Sequence, residues 1–165
     1  MQPLITRNDI ARYRQLSKTP HDAKLNEMIL DAQMMDLQPL LGEKLFNQVM
    51  ADPESHEALL SGGIYEHEGI SYTNYGLKMV LAYFAYARYV MFGSVTDTPF
   101  SVVEKLGAES RPAELSTKKS IYSMNREGAQ QLWENVKNYL TRVRYPGYES
   151  SCSQPVAGLR FTKIK

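Results

Sequence analysis

The feature that most constrains the fold is an apolar stretch at residues 74–92, whose pattern is that of an α-helix. Apolar side chains lie on nearly every side of such a helix, so neighbouring helices must cover it. Its nineteen residues make a rod of about 28 Å. The longest apolar run, MVLAYFAYARYVMF, is too short for a membrane span and carries Arg88. We interpret the four tyrosines of residues 74–92 as core and interface residues rather than as a platform for stacking bases. The stretch predicts a buried central helix.

Helical patterns also precede this stretch. Thr6 and Asp9 resemble a capping box that opens a short N-terminal helix. Residues 21–37 predict an amphipathic helix, because their apolar positions recur at three- and four-residue spacings. Pro39 predicts a kink or a new first turn, followed by a second helical piece that ends near residues 52–53.

A last long helix carries many of the basic side chains. Ser116 or Thr117 can cap its start, and its apolar positions keep helical spacing up to residues 145–147. Gly128 is expected to weaken its middle, since glycine lowers helix stability.

Other segments depart from the helical pattern. Residues 62–73 alternate around a glycine turn and predict a β-hairpin. Residues 93–115 predict an irregular connection, with a possible turn of helix or strand at residues 100–106. The fold class is therefore mainly α: a small helical bundle with a β-hairpin insertion and an extended C-terminal tail. Residues 1–147 form the helical domain, and residues 148–165 form an extended C-terminal arm.

Composition places the chain among single globular domains and indicates no particular reaction or ligand. The chain has 165 residues, of which 43% are hydrophobic and 22% charged, close to the globular average. A lone cysteine, Cys152, is typical of a protein made in reducing cytoplasm, and the first residues lack the apolar core of a secretory signal. The histidines His21, His56 and His67 stand too far apart for a zinc motif, and no glycine pattern matches a phosphate-binding loop. We expect no catalytic residue, no cofactor and no metal.

Charge is divided unevenly along the chain. Residues 1–110 hold 9 basic and 14 acidic side chains, a net charge of −5. Residues 111–165 hold 10 basic and 4 acidic side chains, a net charge of +6, and the two parts together return the total of +1. Such a division fits a phosphate-facing surface, complementary faces on neighbouring copies, or a helix face in solvent.

Several motifs occur in an order found in one known family: Leu4-Ile5-Thr6 through Asp9-Ile10, LNEMILDAQMMDLQPLLGEKLF, and YTNYGLKMVLAYFAYARYVMFGSVTDTPFSVVEKL before a long helix with Ala129 and Trp133. The most specific part is residues 76–98. On these motifs the chain resembles, over about residues 1–145, the head-to-tail connector (adaptor) proteins of tailed bacteriophages, in the form found in Bacteroides-type (crAss-like and related) phages.

The resemblance implies a small helical bundle whose copies form a ring, commonly of twelve, beneath the portal protein. Double-stranded DNA would pass through the ring without being read, and tail or stopper proteins would dock below. The protein would be a structural component of the virion neck, made in the host cytoplasm, without enzymatic activity and without a membrane partner.

Candidate residues follow from this interpretation. The DNA-channel candidates are four basic residues of the last helix and its end: Lys118, Lys119, Arg142 and Arg144. The subunit-interface candidates are basic residues that would meet the acidic body of the next copy and apolar residues of the hairpin and the arm: Arg126, Lys137, Ile64, Tyr72, Leu159, Phe161 and Ile164.

The C-terminal residues 158–165 alternate as a strand with one apolar side, so we expect them to pair with a neighbouring subunit or another neck protein, with the hairpin as one possible acceptor. The alternative is a terminus without fixed structure. For the whole chain, the alternatives are a small helical DNA-binding regulator that uses the basic last helix, and an enzyme whose residues follow no familiar motif.

Overall fold

The fold was analysed in a computed structural model, which describes residues 1–16, 22–93, 95–97, 102–104 and 114–149. The described chain is mainly α with a two-stranded β-hairpin, as the sequence predicts. In chain order its elements are α1 (Arg7–Ala11), α2 (Asp22–Ala32) continued by a π-helical turn (Gln33–Leu37), α3 (Gln38–Leu41), α4 (Glu43–Ala51), a 3₁₀ turn (Glu54–His56), α5 (Glu57–Ser61), β1 (Gly63–His67), β2 (Ile70–Asn74), α6 (Leu77–Phe92), β3 (Val95–Asp97), β4 (Val102–Glu104) and α7 (Leu115–Arg142).

Helix α6 is the central helix that the apolar stretch predicts. It packs against α7, α2, α1 and α5, and its side chains supply a large share of the core. Phe84 is the largest fully buried side chain of α6. Among the described residues, no helix is both long and apolar enough to cross a membrane.

Helix α7 differs from its prediction at both ends. Its N-cap is Glu114, so the helix begins before the predicted caps Ser116 and Thr117. It ends at Arg142, ahead of the predicted end. Gly128 does not interrupt the helix: a Cβ at this position would lie 3.2 Å from ring atoms of Tyr83, so the glycine leaves room for that ring on α6.

The segment from α2 to α4 follows the predicted amphipathic pattern with one unexpected feature. The last turn of the predicted helix is a π-helical turn, which is wider than a turn of α-helix. Gln33 and Leu37, four residues apart in this turn, are both buried. Pro39 lies in the first turn of a new helix, α3, where its missing N–H costs nothing. Gly42, with φ of 78°, separates α3 from α4.

The predicted hairpin is confirmed as antiparallel strands β1 and β2, in a register that pairs Tyr65 with Tyr72. Its turn is formed by Glu68 and Gly69, both with positive φ. A second antiparallel pair, β3 with β4, lies within the connection that we predicted to be irregular, and the strand alternative proves correct for β4.

The division at residues 147 and 148 into helical domain and arm stays a prediction. Tyr148, the first residue assigned to the arm, packs edge-on against Trp133 with ring centroids 6.4 Å apart. The predicted strand at residues 158–165 lies outside the described residues, and with it the interface candidates Leu159, Phe161 and Ile164.

Candidate functional site

The base of the β1–β2 hairpin is anchored by two asparagine side chains. Asn74 is buried, donates to the carbonyl of Ala58 at 3.1 Å and accepts from the backbone N–H of Gly76 at 3.1 Å. Asn135 of α7 donates to the carbonyl of Thr73 at 3.0 Å and accepts from the N–H of Tyr75 at 2.9 Å. These hydrogen bonds hold the backbone at the base of the hairpin, so the anchor does not depend on the hairpin's exposed side chains.

Two glycines let the chain enter and leave the hairpin side by side. Gly62 and Gly76 have φ of 75° and 79°, and a Cβ on Gly76 would lie 2.6 Å from the backbone nitrogen of Gly62. Only glycine fits such a close approach of two backbones in this conformation. The anchor thus depends on glycine in both connections.

The inner face of the hairpin lies against α7 through an aromatic cluster. The Tyr65 ring packs on Tyr139 at a centroid distance of 4.9 Å and on Tyr72 at 5.7 Å. Arg142 donates to the Tyr65 hydroxyl at 2.9 Å, and its guanidinium lies 3.9 Å from the centroid of the Tyr72 ring. The hydrogen bond to Tyr65 raises the pKa of Arg142 above its ordinary value. Tyr72, an interface candidate, and Arg142, a channel candidate, are thus engaged with each other.

The outer face of the hairpin is exposed to solvent. Ile64 on this face is 80% exposed and stands opposite Thr73, whereas Ile70, 55% exposed, lies at the tip on the same face as Tyr72. Ile64 is therefore placed as an interface residue would be, although its role there stays a prediction.

The four DNA-channel candidates do not lie on one surface of α7. Lys118 and Lys119 are near the N-terminal end of the helix, whereas Arg142 ends it and Arg144 follows in the next turn. At 1.5 Å per residue the two ends of α7 are about 42 Å apart. At 100° per residue Lys119 and Arg142 point about 140° apart. A continuous basic stripe through all four residues is absent, and their contact with DNA stays a prediction.

The interface candidates Arg126 and Lys137 have partners within the chain. Lys137 lies 3.4 Å from a carboxylate oxygen of Glu134 on the same helix. Arg126 donates to the carboxylate of Asp36 at 2.6 Å, and the opposite carboxylate oxygen of Asp36 accepts from Arg88 at 2.7 Å. Charge reversal at Arg126 would therefore disturb the fold as well as any contact between copies.

The Asp36 carboxylate is the functional group that sequence reasoning missed. Its side chain is only 2% exposed, and it joins three elements: the π-helical turn, α6 and α7. Burial lowers the pKa of Arg126, but the hydrogen bond and the negative charge of Asp36 outweigh burial and raise it. One signal was available: Arg88 within an apolar helix requires a buried acidic partner.

The remaining polar clusters are compatible with structural roles. His56 Nδ1 and the Tyr145 hydroxyl are 2.7 Å apart, which ties the segment after α7 to the turn before α5. At the hairpin tip, His67 lies 3.8 Å from Glu68. Within the part of the chain that the structure describes, no three His, Cys, Asp or Glu side chains are arranged to hold a metal ion.

Fold and surface together define a mainly α protein with a rigidly anchored, outward-facing hairpin. Residues 37–157 match the profile of DUF6712, described as a family of unknown function, so the chain belongs to that family. No curated protein and no solved structure matches the chain.

Proposed function

We propose that the protein is a structural subunit of a head-to-tail connector ring in a tailed bacteriophage, joining the portal to the tail around the DNA channel. The observation that carries the proposal is the β1–β2 hairpin, which is fixed at its base by Asn74 and Asn135 and presents Ile64 outward at 80% exposure. The inner face of the hairpin packs on α7, whereas Ile64 on the outer face is exposed. In this proposal a second copy of the chain covers that outer face.

The sequence resemblance supports the same function. Its most specific part, residues 76–98, begins at the glycine that precedes α6 and includes the whole of that central helix. The matching residues are therefore those that organise the bundle. In this proposal the ring has about twelve copies and resides in the virion neck, with the portal and tail or stopper proteins as neighbours.

Basic residues at both ends of α7 fit a channel that does not read sequence. Lys118 and Lys119 are separated from Arg142 and Arg144 by most of the length of the helix, about 36 Å from Lys118 to Arg142. Such separated charges contact phosphates at two levels along a duplex rather than forming one recognition surface. Passing DNA can then slide through the ring.

The test is the assembly state of the purified full chain, alone and mixed with the portal protein of a phage of the same group. Light scattering should report a multimer, and electron microscopy should show a ring with a central channel. A monomer that binds short duplex DNA with strong salt dependence would instead support the DNA-binding regulator.

The variant Ile64→Glu sharpens this test. Burying an isoleucine side chain is worth about 1.5–3 kcal/mol, so a charge there should weaken each contact by about tenfold or more. Met124, 69% exposed on α7, supplies the matched control Met124→Glu. Equal assembly of Ile64→Glu and the unaltered protein, or equal loss in both variants, would contradict a role of the hairpin in the ring.

A further inference from the structure

The two hairpins of the chain lie at opposite ends of the same helix. Hairpin β1–β2 ends at Asn74, three residues before α6 begins at Leu77. Hairpin β3–β4 begins at Val95, three residues after α6 ends at Phe92. The sixteen residues of α6 separate the two bases by about 24 Å. One chain thus carries one small sheet at each end of α6.

Within the residues that the structure describes, the β1–β2 hairpin leaves one of its two edges open. The outer edge of strand β2 faces α7, because the Asn135 side chain of α7 bonds the Thr73 carbonyl on that side. In an antiparallel pair, opposite residues alternate between bonding each other and directing their backbone groups away. The backbone carbonyl of Thr73 points away from β1, so Thr73 and its opposite residue Ile64 do not bond each other. The N–H and C=O groups of Ile64 therefore point to the outer edge of β1, and those of Glu66, two residues further on, do the same.

Among the described residues, the outward-directed backbone groups of Ile64 and Glu66 have no hydrogen-bond partner. An open strand edge of this kind is a template for strand addition.

We infer that the open edge of β1 pairs with the β3–β4 hairpin of a second copy, which forms a four-stranded sheet across the subunit contact. The inference rests on the proposed function and names its contact. Strands β3 and β4 have three residues each, too few for an independently stable sheet, so they gain most from pairing. Since donor and acceptor surfaces lie at opposite ends of α6, the contact is head-to-tail, which leads to rings or open chains rather than symmetric dimers.

Cysteine cross-linking of the full chain tests this contact. In a Cys152→Ser background, Ile64→Cys is combined with Thr96→Cys or Val103→Cys, the central positions of β3 and β4. A disulfide requires Cα atoms within about 7 Å, so these pairs cannot close within one chain. Mild oxidation should produce a ladder of multimers from a double-cysteine chain. A mixture of the two single-cysteine chains should stop at dimers.

A second variant tests the backbone edge itself. Glu66→Pro removes an outward N–H and should abolish the ladder while the hairpin remains, because proline is tolerated where no ladder bond is lost. Glu66→Ala, which keeps the N–H, should retain the ladder. Circular dichroism of both variants confirms that the fold is unchanged. A ladder that persists in Glu66→Pro overturns the inference.

Other outcomes overturn it as well. No cross-link in either double-cysteine chain, a symmetric dimer from Ile64→Cys alone, or an equal ladder when Met124→Cys replaces Ile64→Cys each refutes the contact. A cross-link from Ile64→Cys to Phe161→Cys instead would assign the edge to the C-terminal arm. If rings form but the cross-link does not, this contact is refuted and the proposed function is retained. If the ladder forms but the protein never closes into rings, the contact is retained and the proposed function is refuted.

Discussion

Replacing Asp36 with alanine should be among the most destabilising single changes in the chain. The carboxylate is 2% exposed and accepts hydrogen bonds from Arg88 and Arg126. Removing it leaves two guanidinium groups near one another without their shared counter-charge. Losing one member of a buried ion pair costs about 3–5 kcal/mol.

The structure places the expected cost at the lower end of that range. Arg88 is 13% exposed and cannot easily regain water, whereas Arg126 is 32% exposed and can turn toward solvent. We therefore expect a loss of about 3 kcal/mol for Asp36→Ala. For a chain of this size each kcal/mol lowers the melting temperature by about 2–4 °C, so the shift should be about 6–12 °C.

Urea and thermal unfolding followed by circular dichroism measure this loss. Glu27→Ala is the control, because Glu27 is an acidic residue of the preceding helix α2 that pairs with Lys24 at the surface, a contact worth about 0.2–0.5 kcal/mol. The double variant Asp36→Leu with Arg88→Met should lose less than the sum of its single changes, since both members of the more deeply buried pair are then removed and Arg126, 32% exposed, can turn toward solvent. If Asp36→Ala costs no more than Glu27→Ala, the argument from buried charge is wrong.

Two further predictions concern the helix cap and the hairpin anchor. Burial raises the pKa of Asp9, but the hydrogen bonds that Asp9 accepts from Thr6 outweigh burial and lower the pKa below its ordinary value. The cap therefore stabilises the fold at pH values above the pKa of Asp9 in the unfolded chain. This stabilisation is lost as the pH falls through the lower pKa of Asp9 in the folded chain. Asp9→Ala should cost about 1 kcal/mol at neutral pH and much less under acid, as urea unfolding at both pH values will show. Gly76→Ala should lower the free energy of unfolding more than Gly69→Ala. Both glycines have positive φ, but of the two only Gly76 would place its new Cβ against backbone atoms, 2.6 Å from the nitrogen of Gly62. An equal loss of stability in thermal unfolding would refute the close-approach argument.

Regular elements were predictable from the sequence because they repeat locally. The apolar period of α6 and the alternation around Gly69 in the hairpin each depend on neighbours a few residues away. The Asp36 cluster was not predictable in this way, since its partners Arg88 and Arg126 are 52 and 90 residues distant in the chain. Periodicity places a residue on a face of its helix, but it does not say which side chain of another helix stands opposite.

The hairpin anchor was missed for the same reason, and the two omissions are linked through α7. Asn135 and Arg142 hold the hairpin from one side of this helix, while Arg126 on another side bonds the π-helical turn. Apolar side chains of similar volume could stabilise the bundle about as well as a buried ion cluster. A charged cluster, however, is satisfied only when α6, α7 and the π-helical turn are in one register. Fixing that register also fixes the hairpin relative to the bundle, which a repeating contact between identical copies requires.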